Sequence, residues 1–274
     1  MPQSTIARCA AIHPSAIVSL DATIGERTSI GPYSVIGAGV RIGSDNRIGP
    51  HVVIEGNTIL GASNQIYQFA SIGAVPQDLK YQGEESVLRI GNRNIIREYA
   101  TLQPGTAAGG GQTIVGDDNL IMACSHVAHD CRIGNRVRLT NAATLAGHIE
   151  IGDGAVLSGL CAVHQFVRVG KLAFVSGGAM VTQDVPPFCI VQGDRARLVA
   201  LNQIGLQRAG VAKDEIIELR RAFRILFRSA DLLKHRIAAA AERIPASDLV
   251  KELVDFVTSS SRGVVSARRA TAGP

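Results

Sequence analysis

An aliphatic residue returns at every sixth position through two thirds of this 274-residue chain. The series runs Ile12, Val18, Ile24, Ile30, Ile36, Ile42, Ile48, Ile54, Leu60, Ile66 and Ile72 without a slip, and Gly25, Gly31, Gly37, Gly43, Gly49, Gly61 and Gly73 follow their anchors directly. It resumes at Ile90, Ile96 and Leu102, then runs from Val115 through Ile121, Val127, Ile133, Leu139, Leu145, Ile151, Leu157, Val163, Val169 and Val175 to Val181. A helix needs a period of about 3.6 and a half-buried strand a period of 2, so neither produces a strict six. A β-sandwich would show longer strands at wider, less regular spacing. A parallel β-helix fits: each hexapeptide gives one short strand and one turn, and three make a triangular coil. The coils stack at the strand spacing of about 4.8 Å, with the anchors inside as ladders. A small residue after each anchor suits a corner that needs positive φ or close backbone approach.

Two segments break the period, AVPQDLKYQGEESVLR after Gly73 and QPGTAAGGGQTI after Leu102, and both read as loops ejected from the prism wall. At DVPPF the prolines close the last coil. The expected division is therefore a β-helical domain over 1–190, a helical domain over 191–258 and a disordered tail over 259–274. Ile216, Leu219, Phe223 and Leu226 recur at helical spacing from Asp214 onward, flanked by Arg220, Arg221, Arg224 and Arg228. Further helices are expected over 232–242 and 247–258.

With no Trp and 4% aromatic residues, the core must be built from Ala, Val, Ile and Leu. Residues 195–274 carry 15 Lys/Arg against 8 Asp/Glu, leaving 1–194 at −2, so the basic surplus is C-terminal. It suits either an acidic macromolecular partner or a solvated helical surface. Five cysteines (Cys9, Cys124, Cys131, Cys161, Cys189) with no CxxC pair indicate neither a disulfide framework nor a zinc knuckle, and fit a reducing cytoplasm. Cys124 and Cys131 read as packing residues. No apolar run of membrane-spanning length and no secretion signal is seen, and nothing indicates nucleic-acid binding.

Counted from Val127 in steps of 18, His126, His129, His148 and His164 have nearly the same offset, so one corner of the prism should collect all four. A polar ladder of stacked imidazoles would look similar. Two chemistries fit such a corner. A zinc site needs three neutral imidazoles, and γ-class carbonic anhydrases build one on a left-handed β-helix, but the His126-x-x-His129 spacing differs from that family's. General-base catalysis needs one imidazole near neutrality with an orienting neighbour, and Asp130 directly follows His129. The expectation is no metal and direct transfer without a covalent intermediate.

The segments IYQFASIG (66–73), QDLKY (77–81), HVAHDC (126–131), ATLAGH (143–148), VHQF (163–166) and QDVPPF (183–188) make the chain similar, over roughly residues 10–260, to the UDP-N-acetylglucosamine 3-O-acyltransferases of lipid A biosynthesis. That resemblance implies a left-handed parallel β-helix followed by a C-terminal α-helical domain. It also implies an acyl donor carried on the phosphopantetheine of acyl carrier protein, no resident cofactor, and a cytoplasmic homotrimer with clefts between prisms. Among residues, it implies His129 as general base, Asp130 as its support and the Gly147 N–H as oxyanion donor. Asp78, Lys80 and His126 would hold the sugar and the carrier arm, and His148 and His164 would line the cleft. Gln165, Asn202 and Arg208 would contact the nucleotide or pantetheine, while Gly177 would limit acyl length. The chain departs from the family at Gln103-Pro104-Gly105, where His-Arg-Gly is usual, and at Arg208-Ala209, where Arg-Arg is usual. Those departures leave open a 3-amino sugar. A related hexapeptide N-acyltransferase, a CoA-dependent acetyltransferase and a carbonic-anhydrase-like metalloprotein are the other readings.

Overall fold

The computed structural model describes residues 5–7, 9–244 and 247–267. Short strands follow one another every six residues and pair in parallel with the strand one coil later, so the chain winds into a left-handed triangular prism with three flat faces. The first face runs from Thr5–Ile6 to Arg168–Val169, the second from Ala11–Ile12 to Arg197–Leu201, and the third from Ile17–Val18 to Met180–Val181. The step is 18 residues in regular coils, as in His126↔Thr144 and Thr144↔Ala162. It lengthens where a loop leaves the wall, as in Ser71↔Thr101 and Thr101↔His126.

Every aliphatic anchor from Ile24 to Val181 is buried, whereas Ile12 and Val18 are half-buried because few rungs lie beneath them. Burying one such side chain is worth about 1.5–3 kcal/mol, so the ladder is a long sum of similar contributions. A second inward ladder stands two residues before each anchor, and the six-residue pattern does not reveal it. Most of its members are small or polar, including Ala22, Val40, Ala143 and Ala155, and also Asn46, Asn64, Asn94 and Asn119. The asparagines bond from coil to coil: Asn64 Nδ2 donates to Asn46 Oδ1 and Asn94 Nδ2 to Asn64 Oδ1, both at 3.0 Å. Buried polarity survives here because the next rung satisfies it. The ladder stops at Val137, where the Asn119 Nδ2 is left without a partner.

Positive φ is taken mainly by non-glycine residues later in each turn, such as Arg27, Asp45, Tyr33, Asp130 and His148. The glycines behind the anchors serve close approach instead: a Cβ on Gly43 would lie 2.7 Å from the Gly61 carbonyl oxygen of the next coil.

The prism does not end at residue 190. Cys189–Gln192 adds to the second face beside Phe174–Val175 and then pairs antiparallel with Arg197–Leu201. Four helices follow: α1 (Gln203–Arg208), α2 (Lys213–Arg228), α3 (Leu233–Arg243) and α4 (Asp248–Thr258). α2 buries Ile216, Leu219, Ala222, Phe223, Leu226 and Phe227 and leaves Arg220, Arg221, Arg224 and Arg228 outside, as its periodicity predicts. α1 was not anticipated. Residues 259–267, expected in a disordered tail, instead run back along the last coil: Val264 bridges Asp184, Ala267 bridges Leu198, and Val265 is buried. The rest of that tail lies outside the described residues. No described helix is long and apolar enough to cross a membrane.

Candidate active site

Each corner of the prism has its own chemistry. Between the first and second faces stand charged pairs such as Arg27 with Asp45 and Arg93 with Asp118, both at 2.7 Å. Between the second and third, Tyr33, His51, Phe69 and Tyr99 form a stack with ring centroids 5.1–5.2 Å apart. The corner from third to first face is the functional candidate. It holds the turns after His126–Val127, Thr144–Leu145 and Ala162–Val163, and both ejected loops also leave from it, after Ser71–Ile72 and after Thr101–Leu102.

His129 and Asp130 lie in the first of these turns. The positive φ of Asp130, 60°, folds its carboxylate back beside the preceding ring, which an extended backbone would prevent. His129 Nδ1 donates to Asp130 Oδ2 at 2.7 Å, so the network assigns the proton to Nδ1 and the lone pair to Nε2. The Asp130 side chain is 1% exposed and that of His129 13%, giving a buried acceptor behind a reachable imidazole. Thr106, on the second ejected loop, donates its N–H to Asp130 Oδ1 at 2.8 Å and its hydroxyl to Oδ2 at 2.7 Å. Gly147 packs on the imidazole: a Cβ there would lie 2.5 Å from Cε1 and 2.7 Å from Nε2. Its N–H meets no acceptor among the described residues.

His148 stands one rung above Asp130, its ring edge-on to His129 with centroids 5.1 Å apart and its Nε2 3.7 Å from Asp130 Oδ2. Burial pulls its pKa below the ordinary histidine value, opposed by Asp130 and Asp78 and reinforced by His129. His126, on the wall, is 2.6 Å from the Thr101 hydroxyl through Nδ1, and burial, with a smaller push from His129, lowers its pKa too. Asp78 reaches the corner electrostatically and accepts the Lys80 N–H at 3.0 Å, while the Lys80 side chain extends into solvent.

The seam differs from the expected one in its third member. His164 occupies the same corner, but its Nδ1 accepts from the Arg262 guanidinium at 2.9 Å, and Phe166 instead stacks on His148 at 4.4 Å. Gln165 is exposed beside it. Three predicted residues lie away from this corner. Gly177 follows Phe174–Val175 at the aromatic corner; Asn202 donates to the Leu172 carbonyl at the charged corner and caps α1; Arg208 ends α1 in solvent. Cys131 is buried, with its thiol pushed up to about 12, but Cys124 is exposed and packs nothing inward, because it takes the left-handed corner position. Gln103, the departure, is buried: its Oε1 accepts the Gln77 N–H at 3.2 Å, tying the two ejected loops together.

His129, Asp130 and His148 present ligand atoms all within 4.8 Å of one another and could hold a metal ion. The carboxylate, however, already accepts three hydrogen bonds from protein donors, the pattern of an orienting group for an imidazole base.

The family model described as UDP N-acetylglucosamine O-acyltransferase, domain 2, matches residues 184–265, and the bacterial transferase hexapeptide model matches residues 21–56. The acyl-[acyl-carrier-protein]--UDP-N-acetylglucosamine O-acyltransferase of Myxococcus xanthus is 52% identical over 255 residues, 93% of this chain and 99% of that protein. The protein of the same name from Paracoccus denitrificans is 50% identical over 72% of this chain and 74% of its own length. Among solved structures, the UDP-N-acetylglucosamine acyltransferase of Campylobacter jejuni superposes with a TM-score of 0.89 at 39% identity, covering 94% of this chain and all of that one. The Bacteroides fragilis enzyme superposes at 0.91 and 39% identity, covering 92% and 99%. These comparisons favour O-acyl transfer over the N-acyltransferase, acetyltransferase and metalloprotein readings, and they are the relatives expected for a prism that sets a His-Asp pair beside a free glycine amide. The chain belongs to the family of acyl-[acyl-carrier-protein]--UDP-N-acetylglucosamine O-acyltransferases.

Proposed function

We propose that this chain transfers an acyl group, with or without a 3-hydroxyl, from acyl carrier protein to the 3-hydroxyl of UDP-N-acetylglucosamine, the first step of lipid A biosynthesis. The observation that carries the reading is the His129 Nδ1 to Asp130 bond at 2.7 Å, which leaves Nε2 as a base at a solvent-reachable corner. Nε2 takes the proton of the sugar hydroxyl while its oxygen attacks the thioester carbonyl carbon. The oxyanion of the tetrahedral intermediate is received by the Gly147 N–H. As the carbon–sulfur bond breaks, the imidazolium returns its proton to the departing pantetheine thiolate, and the base is restored. No resident cofactor enters, because the acyl group arrives activated on the carrier.

Asp78, Lys80, His126, His148, His164 and Gln165 share the third-to-first corner or its loops, consistent with contacts to sugar and donor arm. The lowered pKa of His126 and of His148 keeps both neutral beside His129, which limits repulsion as His129 becomes charged. Gly177, Asn202 and Arg208, all away from this corner, would join the site from a neighbouring prism. This distribution supports a homotrimer whose clefts lie between copies, with Arg221 and Arg224 on the exposed face of α2 turned to an acidic carrier protein in the cytoplasm. The test is mass spectrometry of products when UDP-N-acetylglucosamine is offered a ladder of 3-hydroxyacyl carrier proteins. A 3-O-acylated nucleotide sugar supports the reading, and no acylated product from any donor would refute it.

A further inference from the structure

The second ejected loop has no repeat and no expected site residue, yet it closes over the back of the catalytic pair. Asp130 Oδ1 accepts the Thr106 N–H, and Oδ2 accepts both the Thr106 hydroxyl and His129 Nδ1–H. Thr106 is 2% exposed, so water does not substitute for it. A Cβ on Gly109, in the same loop, would overlap the carboxylate, so the loop backbone itself forms the pocket wall. The loop is braced in turn. The Thr106 carbonyl accepts from Gly111 N–H at 2.8 Å, the Ala107 N–H donates to Glu84 Oε1 at 3.0 Å, and Asp130 N–H donates to Thr113 Oγ1 at 2.8 Å.

We propose that Thr106 is a positioning residue for acyl transfer: its hydroxyl and amide fix the Asp130 carboxylate in the one orientation that keeps the His129 proton on Nδ1 and the lone pair on Nε2. The inference rests on the general-base reading above. Without the hydroxyl, Oδ2 keeps the His129 bond and the 3.7 Å approach of His148 Nε2 while Oδ1 keeps the Thr106 N–H, so the carboxylate loses one of its two bonds to the loop and holds the imidazole less tightly. A carboxylate is the acceptor for both groups, so Thr106 competes for no proton; it restricts geometry. Its loss should therefore lower turnover without weakening substrate binding.

The test is steady-state kinetics of Thr106→Val, which keeps shape and amide, and of Thr106→Ser, which keeps the hydroxyl, beside wild type and His129→Ala. Hydrogen bonds to charged groups are worth enough to predict a fall in kcat of about ten- to a hundredfold for T106V. KM for both substrates should stay within about twofold, and T106S should recover to within about threefold of wild type. T106V at wild-type kcat, a loss confined to KM, or equal losses in T106S and T106V would each overturn the proposal. Should T106V fail to fold, T106A against T106S gives the same comparison. A wild-type protein without transfer, or an H129A as active as wild type, would instead sink the general-base reading, so the two failures are distinguishable.

Discussion

Replacing Gly147 by alanine tests the geometry of the site while leaving every proposed chemical group in place. The backbone of Gly147 is not in the left-handed region, so alanine is conformationally acceptable there. The added methyl, however, would sit 2.5 Å from His129 Cε1, 2.7 Å from Nε2 and 3.1 Å from Nδ1. Carbon atoms rest at about 3.5–4.0 Å, so the imidazole must retreat by about 1 Å. Its bond to Asp130 holds the ring from the other side, and the retreat therefore displaces Nε2 from its line to the sugar hydroxyl. A misplacement of about 1 Å costs on the order of a hundredfold in rate, or about 2.7 kcal/mol in barrier. The assay is initial-rate transfer from an acyl carrier donor to UDP-N-acetylglucosamine, with thermal unfolding in parallel. G147A should lose about a hundredfold in kcat, keep KM within about threefold and remain folded, with a stability cost of about 1–3 kcal/mol from overpacking. Because the amide N–H survives, the loss would not reflect a missing oxyanion donor. A kcat within about threefold of wild type would refute the placement of His129 against Gly147.

Two further outcomes follow from other groups. His126 and His148 have folded pKa values below the unfolded value of about 6.5, held down chiefly by burial; below that pH the unfolded chain binds more protons, so stability complete above it falls as pH drops. The melting temperature should thus decline from pH 7.5 to 5.5, and less steeply in His126→Asn/His148→Asn; equal slopes would contradict the assignment. Asp184, 1% exposed, accepts from Arg168 N–H, Arg168 Nε and Ser260 Oγ and so joins the last coil to the returning C-terminal segment. Asp184→Ala should cost about 2–3 kcal/mol in denaturant unfolding, and an unchanged midpoint would show that the Asp184 side-chain bonds add nothing to stability.

The architecture was legible because a solenoid writes its geometry directly into sequence: each anchor is one wall, and three walls are one rung. The same arithmetic set His148 one rung above Asp130, 18 residues on, and so brought its ring against that of His129. It stopped short where side-chain direction mattered. His164 lies two residues short of the register of His148 and its ring meets Arg262, whereas Phe166, 18 residues after His148, is the one that stacks on it. The polar ladder of Asn46, Asn64, Asn94 and Asn119 was hidden because polarity alone predicts exposure, whereas repetition lets each amide satisfy the next. Thr106 was unreadable for another reason: an aperiodic loop gives no register from which to place a side chain. The three consecutive glycines beside it, Gly109, Gly110 and Gly111, were the available signal that backbone passes close to something. The tail expected from residue 259 misled over 259–267 because its composition is that of a linker, while Ser260 on Asp184, the Val264 bridge and the buried Val265 dock that part.

The account depends most on His129 removing the proton of the acceptor hydroxyl. The direct measurement is kcat of purified His129→Ala, with folding verified by its melting curve. A fall of about 10²- to 10⁴-fold is predicted for loss of a general base; more than about a tenth of wild-type turnover in a folded H129A would contradict it.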